Sequence, residues 1–157
     1  MRFFKRGVNQ IFQTIPRANV PIVFDIFPRS MENLYWYDTT RAVVRGKATP
    51  EARRLYETVR KTQTFQLSLV KSGANGYEIH ETGKKMLEDY GYKTGFQKTV
   101  INGKEEMRIQ GFFHGTGHGV GVDIHEEPRI AAKKRALSSR AWSSQLSPDF
   151  ITMASAV

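Results

Sequence analysis

The chain has no cysteine among its 157 residues. Disulfide bonds and thiolate metal ligands are therefore excluded, and a reducing compartment such as the cytoplasm is the default expectation. No apolar run approaches the roughly 20 residues that a membrane-spanning helix needs, and no apolar segment follows the basic start as a secretory signal requires. The composition, 39% hydrophobic and 11% aromatic, is typical of one folded domain. We therefore expect a cytoplasmic protein without a membrane partner.

Acidic residues are scarce at both ends of the chain. Residues 1–19 carry four basic side chains and no acid, and residues 131–157 carry four basic side chains and one acid. The centre, residues 20–130, accounts for only +2 of the total formal charge of +9. A nucleic-acid-binding domain would concentrate its basic residues on the folded centre. The charge distribution therefore predicts no nucleic-acid partner.

Three of the four histidines lie in one stretch, Gly111-Phe-Phe-His114-Gly-Thr-Gly-His118-Gly-Val-Gly-Val-Asp-Ile-His125-Glu-Glu-Pro128-Arg-Ile130. Each glycine costs about 1 kcal/mol relative to alanine inside a helix, so the alternating glycines argue against a helix. Imidazole is the commonest metal ligand in proteins and titrates near neutral pH. The stretch predicts a glycine-kinked strand that a ligand can approach closely. A glycine-rich turn with histidines at the surface is the alternative.

Two apolar segments, residues 21–27 and 34–44, each contain one aspartate and predict a strand hairpin. If the hairpin folds symmetrically about residues 31–32, Asp25 lies opposite Asp38. Opposed Cβ atoms are about 4.5–5.5 Å apart, so the two carboxylates would repel each other. A divalent cation between them removes the repulsion. The alternative is that one aspartate pairs with Arg29 or Arg41 and the other faces water.

Two helices are predicted between the hairpin and the histidine stretch. Thr49-Pro50-Glu51 combines an N-cap hydroxyl, a proline at the first helical position and an acid, and it predicts a helix over residues 50–71. The second helix is predicted over residues 77–91, and we expect its His80 to have a packing or capping role. Residues 93–106 are expected to form a polar connection, and strands are expected to resume at residues 107–113.

These segments together resemble the pita-bread metallopeptidases, family M24. The resemblance runs from about Arg17 to Ile130 and rests on Asp25, on Asp38-Thr-Thr-Arg41, on Gly117-His118-Gly-Val-Gly and on His125-Glu-Glu-Pro128. His114, in Phe112-Phe-His-Gly, is similar to the Xaa-Pro aminopeptidase branch rather than the methionine branch. The resemblance implies an α+β, partial pita-bread fold, in which two helices pack on one face of a curved antiparallel sheet.

The resemblance also implies a site and a reaction. Intact members hold two divalent ions, manganese, cobalt or zinc, and hydrolyse the N-terminal peptide bond of a peptide substrate with a metal-activated water. Asp25, Asp38 and His118 match metal ligands of the family. His125 matches the histidine that binds substrate and stabilises the tetrahedral intermediate, and His114 matches one that lines the substrate pocket.

The sequence departs from the family pattern on both sides of this match. Residues 1–19 do not match, so residues 20–130 are interpreted as a partial domain truncated at both ends. Both glutamate ligands of the family are absent from residues 131–157. Residues 137–157 can be encoded by codons that also encode a second peptide in another reading frame, the one that starts at the last base of each codon. The second peptide is Leu-Lys-Ser-Gly-Met-Val-Val-Thr-Val-Glu-Pro-Gly-Leu-Tyr-Tyr-His-Gly-Ile-Gly-Gly. This peptide contains the expected Val-Glu-Pro-Gly segment, so we interpret the tail as out of frame.

The sequence therefore predicts an Xaa-Pro aminopeptidase-like chain that is inactive by itself because both glutamate ligands are missing. A non-catalytic binding module of the same fold is the alternative. Retention of Asp25, Asp38, His118 and His125 argues against that alternative, because a binding module does not need this set. The oligomeric state, including a homo-oligomer, stays open.

Overall fold

A computed structural model describes residues 17–101 and 103–132. In chain order they form β1 (Pro21–Ile26), β2 (Thr39–Val44), α1 (Pro50–Leu69), α2 (Gly76–Asp89), β3 (Phe96–Ile101), β4 (Lys104–Ile109), β5 (Gly117–Gly119) and β6 (Glu126–Ile130). Within these residues the strands pair antiparallel as β1–β2, β3–β4 and β5–β6. The predicted α+β class is confirmed. No helix of the described ranges is long and apolar enough to span a membrane.

The first hairpin forms, but its predicted register is wrong. Asp25 lies opposite Thr40 rather than Asp38, and β2 begins at Thr39 rather than at residue 34. The reason is that the turn is centred between residues 32 and 33 instead of 31 and 32, where a hydrogen bond from Ser30 N to Tyr35 O at 2.8 Å closes the loop. Leu34 adopts a left-handed conformation in this loop, with φ +62°. Side chains alternate along a strand, so a register shift of two residues keeps both aspartates on the same face of the hairpin.

Both predicted helices form close to their expected bounds. The Thr49 side chain caps α1 by accepting from Ala52 N at 3.2 Å. Asn75 caps α2, accepting from Tyr77 N through its side-chain oxygen at 3.0 Å. These two caps satisfy backbone donors that a helix N-terminus leaves without intrahelical partners. The Thr49 cap predicted for α1 is therefore confirmed, whereas the Asn75 cap of α2 was not identified from the sequence.

The interval 93–106, predicted as a polar connection, instead contains β3 and the start of β4. The strand predicted at residues 107–113 ends earlier, at Ile109. Residues on one face of this hairpin mix apolar and charged side chains: Phe96 lies opposite Ile109, and Lys98 lies opposite Met107. This mixture hides the two-residue period on which a strand prediction depends.

The described core is small and partly polar. Its fully buried apolar side chains are Ile79 and Leu87 of α2 and Ile130 of β6. Ile79 and Ile130 form a cluster with the partly buried Leu69, Val70 and Ala74. The buried polar residues of the two helices are Thr58, Thr62, Gln66 and His80. One of them joins the helices directly, because Gln66 Nε2 of α1 donates to Ile79 O of α2.

His80, predicted to have a packing role, is only 5% exposed on α2. Burial lowers its pKa below the ordinary value; Lys84 and His114 also lower it, whereas Glu81 raises it. The unfolded chain, whose histidine pKa is about 6.5, therefore binds more protons in mild acid than the native chain does. The neutral His80 therefore makes its full contribution to the free energy of unfolding above about pH 6.5, and this contribution is lost as the pH falls below that value.

We therefore expect His80→Gln to make the free energy of unfolding less dependent on pH. Between pH 6.5 and 5.5 the native chain should lose up to about 1 kcal/mol more than the variant. Urea unfolding of both proteins at pH 7.5, 6.5 and 5.5 measures the difference. Equal slopes for the two proteins would contradict the proposed neutral, buried imidazole.

Candidate metal centre

The histidine stretch folds as a tight antiparallel ribbon. His118 of β5 pairs with Arg129 of β6, and the register is irregular between His118 and Gly119. Gly119 approaches the neighbouring strand so closely that a Cβ atom there would lie 2.6 Å from the backbone oxygen of Glu127. The predicted glycine-kinked strand is therefore present, and its glycine is required by the close approach of another backbone.

A backbone hydrogen bond joins the first hairpin to this ribbon. Trp36 N donates to Gly121 O at 2.8 Å. Trp36 lies two residues before Asp38, and Gly121 lies three residues after His118. The hydrogen bond therefore joins the segments on which these two side chains are carried, although they are 80 residues apart in sequence.

Asp38 and His118, both predicted metal ligands, lie side by side. His118 Nε2 is 3.3 Å from Asp38 Oδ2, and the two side chains are only 20% and 11% exposed. Burial raises the pKa of Asp38 above the ordinary carboxyl value, and the negative charge of Asp25 raises it further. The charges of His118 and His125 act in the opposite direction. Burial and the neighbouring charge of Asp25 thus both destabilise the ionised form of Asp38.

Asp25, the third predicted ligand, acts on Asp38 electrostatically but lies in a more exposed position on β1. The hydroxyl of Thr40 donates to Asp25 Oδ1 at 2.7 Å. The alternative considered from the sequence, an aspartate pairing with Arg29 or Arg41, is not among the contacts found for Asp25. Thr40 was missed by the sequence reasoning because the register of the hairpin was predicted two residues away.

The tautomer of His118 is set by its own backbone neighbour. Its Nδ1 lies 2.9 Å from Gly119 O. A carbonyl oxygen only accepts, so Nδ1 carries a proton, and Nε2 is the ring atom that faces Asp38. Metal-binding histidines commonly donate their second ring N–H to a backbone carbonyl in this way. The geometry therefore leaves Nε2 suited to bind a cation that Asp38 also binds.

The two other predicted site histidines lie at different distances from this pair. The His125 ring packs edge-on against the His118 ring, with centroids 4.3 Å apart. His114 contacts Phe112 and Phe113, with ring centroids 4.8 and 5.7 Å apart respectively. His125 is thus beside the candidate centre, whereas His114 belongs to an aromatic cluster on the preceding loop.

The fit of these residues to a metal ion is partial. Among residues 17–101 and 103–132, no three histidine, aspartate or glutamate side chains are arranged as a group that could hold a metal ion. Asp38 and His118 have the donor atoms and the mutual distance that a shared cation needs, and Asp25 adds negative charge nearby. The described residues therefore supply an incomplete ligand set.

Comparison with known proteins assigns the chain to a family. The family profile of metallopeptidase family M24 matches residues 10–142. An Xaa-Pro dipeptidase from Pyrococcus furiosus is 30% identical over 102 residues, which cover 65% of this chain and 25% of that protein. An Xaa-Pro dipeptidase from Lactobacillus delbrueckii subsp. lactis is 29% identical over 115 residues, which cover 73% of this chain and 26% of that protein.

A solved structure agrees with these matches. The prolidase from Thermococcus sibiricus superimposes with a TM-score of 0.61 and 26% sequence identity, over 80% of this chain and 29% of that one. The fold is thus part of the pita-bread architecture. The chain spans about a quarter of the length of the curated relatives it matches. The profile match shows that this chain belongs to metallopeptidase family M24.

Proposed function

We propose that this chain carries part of the metal centre of an Xaa-Pro aminopeptidase-like enzyme, with Asp25, Asp38 and His118 as ligands of divalent cations. The observation that carries the proposal is the contact between Asp38 and His118, in which the imidazole presents Nε2 to the carboxylate. Family membership implies the use of divalent metal. Two ions, of manganese, cobalt or zinc, are proposed for the intact centre.

Each proposed residue has a distinct task. Asp25 and Asp38 supply hard carboxylate oxygens, and His118 supplies one nitrogen donor. His125, which packs against the His118 ring, is proposed to donate a hydrogen bond to the oxygen that becomes negative during hydrolysis. When bound, the divalent cations supply a water molecule activated for attack on the N-terminal peptide bond. His114, in its aromatic cluster, is proposed to line the pocket of a peptide with a free N-terminus.

The chain by itself is proposed to be inactive. Three ligands leave each cation short of protein donors, and an open site does not hold two ions in working geometry. We propose that residues 131–157 are the out-of-frame counterpart of the segment that supplies a glutamate ligand. Almost all of this tail lies outside the described residues, as do residues 1–16. A cytoplasmic location is part of the same proposal.

A second candidate function is a non-catalytic binding module with the same fold. It is favoured by one observation, namely that the described residues contain no three-ligand metal group. The two candidates differ in their response to cations, because only the metal-centre proposal requires the chain to be stabilised by binding them.

Thermal unfolding with and without Mn²⁺, Co²⁺ or Zn²⁺ tests the proposal. A cation at ten times its dissociation constant stabilises the folded chain by about 1.4 kcal/mol, which corresponds to a rise in Tm of several degrees. We expect this rise in the native chain and its loss in Asp38→Asn and in His118→Gln. Asp89→Asn, which removes an exposed carboxylate at the end of α2, is the matched control and should keep the rise. No rise in the native chain, or an equal rise in all four proteins, would contradict the proposed centre.

A further inference from the structure

Three polar side chains form a buried hydrogen-bonded chain behind the histidine stretch. The Gln66 Nε2 of α1 donates to Ile79 O of α2 at 2.9 Å and lies 3.4 Å from Thr116 Oγ1. Thr116 Oγ1 is in turn 2.9 Å from His80 Nδ1. Gln66 and Thr116 are completely buried, and His80 is 5% exposed. Polar side chains this deeply buried are costly unless they are paired.

One end of this chain has a fixed direction. A carbonyl oxygen only accepts, so the atom of Gln66 that faces Ile79 O and Thr116 is the amide nitrogen. The Thr116 hydroxyl accepts from that amide and forms a second hydrogen bond with His80 Nδ1. The Thr116 hydroxyl is thus the link between Gln66 of α1 and His80 of α2.

A glycine makes room for this arrangement. A Cβ atom at Gly83 of α2 would lie 2.0 Å from Gln66 Nε2 and 2.3 Å from its side-chain carbonyl carbon. The Gln66 side chain therefore occupies the space that any other residue at position 83 would need. The side-chain oxygen of Gln66, Oε1, accepts no hydrogen bond from the residues that the structure describes. Gln66 is thus not optimised for stability alone, because an apolar side chain would avoid this desolvation cost.

Thr116 connects the buried chain to the candidate metal centre. It lies between His114 and His118, and its backbone N–H donates to Ile130 O of β6 at 2.7 Å. The Thr116 side chain is hydrogen-bonded to the helices and its backbone is hydrogen-bonded to β6, so Thr116 has little freedom to move. Because β5 begins one residue later, the direction in which His118 leaves the backbone depends on Thr116.

We propose that Gln66, His80 and Thr116 are positioning residues that hold His118 against Asp38 and His125. These three residues do not themselves contact Asp38 or His125. They act on His118 through the backbone of β5. The inference deepens the proposed function, on which its metal-binding readout rests. Its structural readout, the placement of the His118 ring, does not depend on a metal ion.

The test compares Thr116→Val, which keeps the shape of the side chain and removes its hydroxyl, with Thr116→Ser, which keeps the hydroxyl. Thr58→Val is the matched control, because Thr58 is a buried threonine of α1 whose hydroxyl donates to Arg54 O instead. Two quantities are measured in the full chain below the Tm of each protein. They are the nuclear Overhauser contact between the His118 and His125 rings and the affinity for Mn²⁺.

We expect Thr116→Val to lose the ring contact and to bind Mn²⁺ at least about tenfold more weakly, as is usual when the support of a metal ligand is removed. Thr116→Ser and Thr58→Val should keep both. If the native chain binds no Mn²⁺ but the ring contact still depends on the Thr116 hydroxyl, the proposed metal centre fails and the positioning role stands. A folded Thr116→Val that keeps the ring contact overturns the positioning role.

A second variant covers the case in which Thr116→Val does not fold. Gln66→Met removes the amide donor together with the oxygen that lacks a partner, and it retains a similar side-chain length. It is therefore expected to fold and to weaken the ring contact and the Mn²⁺ affinity in the same direction. Native values of both in folded Gln66→Met would overturn the role of Gln66.

Discussion

Replacing residues 137–156 with the peptide encoded one base away, Leu-Lys-Ser-Gly-Met-Val-Val-Thr-Val-Glu-Pro-Gly-Leu-Tyr-Tyr-His-Gly-Ile-Gly-Gly, should tighten divalent metal binding on the order of 100-fold. Four ligands of a structural zinc site together supply about 10–16 kcal/mol, so one added carboxylate is worth roughly 3 kcal/mol. Isothermal titration calorimetry with Mn²⁺ and Zn²⁺ measures the change. Binding should fall back to the native level when the single glutamate of the new tail is replaced by glutamine.

The frame interpretation has an independent check at the level of the gene. The choice of synonymous codons for residues 137–157 is limited, and the third base of each codon becomes the first base of a codon in the alternative frame. If the nucleotide sequence of the gene does not encode this peptide in the alternative frame, the interpretation is wrong. No experiment on the protein is needed for this check. If the codons agree but the replacement leaves Mn²⁺ affinity unchanged, the glutamate is not a ligand of this centre.

Gly119→Ala should destabilise the chain by about 2–3 kcal/mol and abolish its stabilisation by divalent cations. The new Cβ atom would lie 2.6 Å from Glu127 O and 3.1 Å from Glu126 O, and both are backbone atoms that cannot rotate away. Inserting a group into a filled space typically costs about 1–3 kcal/mol. Because β5 must then move away from β6, His118 should leave both Asp38 and His125. Urea unfolding and thermal unfolding with Mn²⁺ measure the two effects.

The same stretch offers a control for this substitution. At Gly115 a Cβ atom would meet its nearest neighbours, Ala131 Cβ and Ile130 O, at 3.4 Å, which is ordinary contact. The free energy of unfolding of Gly115→Ala is therefore expected to lie within about 0.5 kcal/mol of the native value. Mn²⁺ should stabilise this variant as much as it stabilises the native chain. If the two alanine variants behave alike, the close approach of β6 is not what makes Gly119 necessary.

The exposed apolar surface bears on how these experiments are performed. Several large apolar side chains of β1 and the β3–β4 hairpin are about half or more exposed, among them Phe24, Ile26, Phe96, Val100 and Met107. Surfaces of this kind promote association between molecules. Dilute protein and a measurement of mass in solution should therefore accompany each unfolding experiment.

Local signals predicted the elements that depend on local interactions. The helix start at Thr49-Pro50 was predicted because a cap is formed by residues three or fewer positions apart and is therefore visible in the sequence. The hairpin of the two aspartates was predicted from its apolar segments. Its register was not, because the loop is closed by Ser30 and Tyr35 and contains a left-handed Leu34 that no sequence rule anticipates. The β3–β4 hairpin was missed since its charged and apolar residues share one face.

The sequence by itself determined which side chains to consider for metal chemistry, because few residue types bind cations and the resemblance to family M24 singles out Asp25, Asp38 and His118. Only the tertiary structure decided that Asp38 and His118 meet, because a hydrogen bond between distant backbones joins their segments. It also brought together Gln66 and Thr116, for which we propose a supporting role and which carry no sequence signal. Their role arises from burial between two helices and a strand, and burial is a property of packing rather than of the order of residues.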